Sequence, residues 1–130
     1  MKADWTPAGG SAVTLGDDSV KATITLEALG LESAEQVDQL FRAAAVTRRA
    51  RGNTAGDCVF TVGKSHATAV AALAYLKAEL VRVDKKGSLV LTDGTTTVTM
   101  ANALLRAVTL DQVRGVRVWI RYRFGISTIT

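Results

Sequence analysis

The chain has one cysteine, one proline and one histidine in 130 residues, and aromatic side chains make up only 5% of it. A lone cysteine excludes an internal disulfide, so the core must hold by packing. In a strand-like run, Cys58 reads as a small buried hydrophobe rather than a reactive thiol. A lone histidine, His66, excludes a histidine-rich metal site. No apolar run approaches the roughly 18 residues that cross a bilayer as a helix, and "MKADWTPAGG" lacks the apolar stretch of a signal peptide. No membrane partner is expected, and the chain is expected in the cytoplasm when made. Scarce proline, with 48% hydrophobic and 22% charged residues, excludes a disordered tail protein. The length suits a single domain over 1–130 that can bury a real core.

What is present is a polarity of charge. Residues 1–45 carry three basic and seven acidic side chains, whereas 46–64 and 113–130 are net +3 and +4. Acid leading and base following fits either a basic nucleic-acid surface or complementary docking faces on identical subunits, against the plain alternative of a solvated exterior.

Hydropathy patterning gives a coarse order of elements. Val20, Ala22, Ile24 and Leu26 alternate with polar residues, the period of a half-buried strand, after a turn at Gly16-Asp17-Asp18. Ser33 with Gln36 resembles a capping box, and Val37, Leu40 and Phe41 at helical spacing predict a short helix over 34–41. Residues 42–50 fit a strand or a continuing helix; with a turn at Arg51-Gly52-Asn53 before the alternating Cys58, Phe60 and Val62, a hairpin is the favoured reading. Ser65 then caps the main helix, about 67–82, whose stripe of Ala69, Leu73, Leu76, Leu80 and Val83 is expected to pack on the core. Asp93-Gly94, a type I′ dipeptide, joins "SLVLT" to "TTTVTM", and "ANALLRAV" extends the second run through a bulge. In "GVRVWIRYRFGIST", Val116, Val118, Ile120, Tyr122 and Phe124 face one way and Arg117, Trp119, Arg121 and Arg123 the other. The sum is an α+β fold: a mostly antiparallel β-sandwich or open barrel packed against one main helix.

Motifs with chemistry are sparse. "GDCVFTVGKS" carries the Gly-Lys-Ser of a phosphate-binding loop, but the position that must hold the first glycine is Cys58, and Val59, Phe60, Thr61 and Val62 belong in an extended strand. Gly63 reads as the bend from strand to helix. Ser65, His66 and Asp57 are local in sequence and suggest no nucleophile elbow. The expectation is a protein without catalytic, metal or cofactor sites. Arg117, Arg121 and Arg123 with Trp119 suit phosphates and base stacking, or a protein interface, where Arg and Trp concentrate. Arg48, Arg49 and Arg51 form a second cluster, expected at a hairpin tip.

The order "RRARGN", "CVFTV", "SHATAVAALAYL", "GSLVLTDG", "ANALLRAV" and "GVRVWIRYRFG" resembles small structural proteins of tailed-bacteriophage tails, over about residues 40–125. The family includes tail tube, distal tail and tail-completion proteins. The resemblance implies a β-sandwich or barrel flanked by a helix, assembled into homo-oligomeric rings, commonly hexameric, that stack into a tube. It implies a virion component that resides in the host cytoplasm before assembly, with other tail proteins as partners and passing contact with DNA. Residues 1–16 would then be an extended arm anchored by Trp5 on a neighbour. Arg48, Arg49, Arg51, Arg117, Trp119, Arg121 and Arg123 would carry assembly opposite the acids of the first third. The arginines of the last strand depart from the acidic lumens common in that family. The alternative expectation is a small basic nucleic-acid-binding domain using the same arginines and Trp119.

Overall fold

In the computed structural model the described residues of the chain are built of strands, except for one helix. It describes residues 1–19, 21–31, 33–39, 46–53 and 56–130, with 33–39 and 46–53 described by their backbone alone. The elements are β1 (Lys2–Pro7), β2 (Val13–Asp17), β3 (Ala22–Gly30), β4 (Ser33–Gln39), β5 (Val46–Asn53), β6 (Gly56–Ser65), α1 (Ala69–Leu80), β7 (Lys86–Asp93), β8 (Thr96–Arg114) and β9 (Arg117–Ile126). Seven strands form one sheet in the order β2-β1-β7-β8-β9-β6-β3, β4 pairs with β5, and every pairing is antiparallel.

The outermost strands of this sheet, β2 and β3, are neighbours in sequence. From Asp17 to Ala22 the backbone reaches at most about 18 Å, so the sheet must curl until its two edges approach. Gly16 marks the approach, because a Cβ there would lie 2.7 Å from a Val62 methyl of β6. No ladder joins β2 to β3, and the sheet is not closed.

β8 makes the curl. Its first half pairs with β7 and its second half, from Leu104 onward, with β9. Between the halves the register slips opposite Gly87 and Leu89, and Asn102 adopts φ 55°. Asn tolerates that left-handed conformation, and the extra residue bends the strand. This is the bulge expected from "ANALLRAV".

The core is the inner face of this curled sheet. Trp5 of β1 meets Phe124 of β9 edge to face at 4.9 Å, and Phe60 stacks with Tyr122 and Phe124 at 5.3 and 5.8 Å. Leu89, Leu91 and Met100 complete the cluster with Val62 and Ile120. Burying each large side chain contributes about 2–3 kcal/mol before entropy is counted.

Several expectations are corrected. Residues 1–16 are not an extended arm, since they supply β1 and β2, and Trp5 is fully buried. Over 33–39 the chain is the strand β4 rather than a helix; Leu40 and Phe41 lie outside the described residues. Local spacing favoured a helix there, but the ladder to β5 satisfies the backbone instead. Arg51-Gly52-Asn53 lies within β5, whose partner is β4 and not β6. Of the stretch 42–50, residues 46–50 are strand, and 42–45 lie outside the described residues. Gly30 pairs with Asp57 and Ser33 with Asn53, so the two ladders follow one another along the same pair of segments.

The helix spans Ala69–Leu80 rather than 67–82, and its cap is Thr68, whose Oγ1 accepts from the Ala71 N–H at 3.1 Å. Ser65 instead ends β6. Its inward strip is Ala72, Tyr75, Leu76 and Glu79, about one residue round from the expected stripe, which leaves Leu73 68% exposed. The β7–β8 loop is Gly94-Thr95, with positive φ (59°) at Gly94 alone, the pattern of a type II′ rather than a type I′ turn. Gly115 (φ 64°) opens the β8–β9 turn in the same way, so Val116 belongs to a turn and not to the buried face of β9.

Candidate interaction surface

β9 sits between β6 and the second half of β8, and its alternation turns Val118, Ile120, Tyr122 and Phe124 into the core. The opposite face carries Arg117, Trp119, Arg121 and Arg123, as expected. Each of these arginines has a partner that the sequence did not name. Arg117 donates to Ser65 Oγ at 3.0 Å and to Thr23 Oγ1 at 3.2 Å, and its guanidinium lies 5.0 Å from the Trp119 ring centre. Arg121 Nε meets Glu27 Oε2 at 3.0 Å, and the other oxygen of Glu27 accepts from Thr61 Oγ1 at 2.6 Å. Asp57 holds Arg123 at 3.1 Å and lies 3.8 Å from Arg106 of β8.

The Gly-Lys-Ser stretch is resolved by the same face. Gly63, Lys64 and Ser65 are the last residues of a straight strand, with no curl of amides around a phosphate. Gly63 is small because Trp119, its cross-strand partner, lies over it. Lys64 reaches over the Tyr75 ring at 5.1 Å. Asp57 and Ser65 stand at opposite ends of β6, about 26 Å apart at strand rise, so Ser65, His66 and Asp57 are not brought together. Among the described residues no group of His, Cys, Asp and Glu is placed to hold a metal ion, and no helix is long and apolar enough to cross a membrane.

The second arginine cluster is separate. Arg48 and Arg49 pair through the backbone with Val37 and Gln36 on the β4–β5 ribbon, which shares no ladder with β9. Trp5, expected at an interface, is in the core.

Sequence reasoning also missed two open sheet edges. The β7 ladder stops at Leu104, beyond which Leu105 exchanges backbone bonds with the chain at Asp84 and Lys85. Among the described residues, β8 from Thr109 to Arg114 is paired only with β9, and it is exposed throughout, including Leu110 (45%) and Val113 (52%). Across the sheet, β3 is exposed from Thr25 to Gly30, including Leu26 and Leu29. An edge cannot be seen in one strand's own pattern, because it is the absence of a neighbour.

Under the helix, a buried carboxylate ties the layers together. Glu79 Oε2 accepts from Tyr122 OH at 2.7 Å and from Arg82 Nε at 3.0 Å. Burial pushes the Tyr122 hydroxyl pKa far up, so it stays a donor. Cys58 is fully buried, and desolvation pushes its thiol up to about 11, which suits the packing role expected of it.

Comparison with protein-family models, with curated proteins and with solved structures finds no match.

Proposed function

We propose that the chain is a non-enzymatic structural subunit of a phage tail or tail-like particle, which assembles with copies of itself into rings. The observation that carries this reading is the pair of open edges on one four-stranded unit, β3-β6-β9-β8. Its strands alternate in direction, and four is an even number. A second copy set beside the first in the same orientation therefore brings its β3 antiparallel to the free edge of β8, a head-to-tail contact that repeats until it closes.

The register adds a stagger. Thr25, Thr61, Arg121 and Thr109 form one row across the unit. The free stretch of β8 runs one way from that row and that of β3 the other, so pairing offsets neighbours by about five residues, or roughly 17 Å. Offsets of this kind tilt the strands of a closed barrel. The exposed Leu26, Leu29, Leu110 and Val113 give the joined edges apolar contacts. In this reading each subunit is an open barrel backed by α1; the hexameric count, the tail location, stacking and the tail-protein partners come from the resemblance.

Because Arg121 and Arg123 already hold carboxylates, a nucleic-acid domain built on those arginines is the weaker reading. Light scattering behind a sizing column, with electron micrographs of any large fraction, tests the proposal: rings or tubes are expected, and Leu110→Lys with Val113→Lys should abolish them while the fold persists. A wild-type protein that stays monomeric at every concentration, or a doubly substituted edge that assembles normally, would remove the reading.

A further inference from the structure

We infer that Glu27 and Asp57 mask a latent polyanion-binding face on β9 and its neighbours. The face brings together Arg106, Arg121 and Arg123 from β8 and β9; β9 itself carries no acid, and β8 carries one, Asp111, five residues beyond Arg106. Arg121 and Arg123 stand two residues apart, about 7 Å. Left unpaired, three guanidiniums at this spacing would form a basic patch able to take successive phosphates.

They are not unpaired. Glu27 reaches Arg121 from β3, on the far side of β6, and Asp57 lies between Arg123 and Arg106. Together the two carboxylates oppose all three cations. The side chains are half exposed, from 36% for Glu27 to 53% for Arg123, and such pairs contribute at most about 1 kcal/mol each to folding. Stability is thus a weak account of them, whereas their effect on the surface field is large. They also occupy guanidinium nitrogens that a phosphate would need. Arg117, the remaining arginine of this face on β9, is turned to Ser65, Thr23 and Trp119.

The inference concerns this face alone and holds whether or not copies close into rings; sizing the same samples separates failure of one from failure of the other. The test is fluorescence anisotropy of a short labelled DNA duplex titrated with wild type and with Glu27→Gln/Asp57→Asn across a salt series. Wild type should bind weakly. The double variant should bind at least about tenfold more tightly at low salt, with a salt slope steeper by about two to three. Asp17→Asn/Asp93→Asn changes net charge equally at exposed sites away from the face, on β2 and beside the β7–β8 turn, and should not gain affinity. Adding Arg121→Gln/Arg123→Gln to the unmasked variant should remove the gain. Equal gains in the control pair, no gain in the unmasked variant, or wild-type binding as tight as the variant's would each overturn the inference. The single variants, each expected to show part of the gain, carry the same test if the double variant folds poorly.

Discussion

The indole of Trp119 on β9 occupies the space that a side chain at Gly63 on β6 would need: a Cβ built there lies 2.6 Å from Nε1 and 2.7 Å from Cδ1. The ring shields a glycine that would otherwise weaken the strand, and Arg117 lies against it. Gly63→Val should therefore cost about 1–3 kcal/mol, despite the better strand propensity of valine. Denaturant unfolding checks this. Trp119→Ala should relieve part of the cost in the double variant, a coupling expected only of residues in contact.

Trp5→Ala separates a core strand from a docking arm. With Trp5 buried against Phe124, truncation should cost about 3–5 kcal/mol. A melting temperature near that of wild type would show that β1 does not contribute to the core.

At the helix, Tyr122→Phe and Glu79→Ala should differ in size. The first removes one donor from a carboxylate that keeps Arg82, costing about 1–2 kcal/mol. The second leaves a buried hydroxyl and a guanidinium without their acceptor, and should cost about 2–3 kcal/mol or more. Limited trypsin digestion should then cut faster at Lys77 and Arg82, reporting a loosened helix. Equal effects from both substitutions would contradict the shared role of Glu79.

His66 predicts a pH dependence. Desolvation, with a smaller effect from Lys64, holds its pKa below the usual 6.5. Below that value the unfolded chain takes up the proton before the folded chain does, so stability falls as pH drops through 6.5 toward the lowered folded value, and is retained above. The difference in melting temperature between wild type and His66→Asn should therefore change across that window. A flat difference would show the ring equally hydrated in both states.

By itself the sequence determined the elements whose burial follows a local period. β9 alternates without interruption, the β7–β8 hairpin carries its glycine, and Asn102 marks the bulge where β8 passes from β7 to β9. The helix was legible as an element, although its buried strip was not, since only packing decides which apolar positions of a mostly apolar helix turn inward. Tertiary structure alone decided the rest. The helix expected over 34–41 gave way, within Ser33–Gln39, to a ladder with β5, because strand pairing satisfies a whole row of backbone groups at once. Trp5 belongs to the core because β7 lies beside β1, more than eighty residues along the chain. Glu27 reaches Arg121 because β6 separates β3 from β9 by a single strand, and Asp57 reaches Arg123 because β6 lies directly beside β9. Such partners, and the free edges of β8 and β3, depend on which strands become neighbours, and that order is set by the closure of the core.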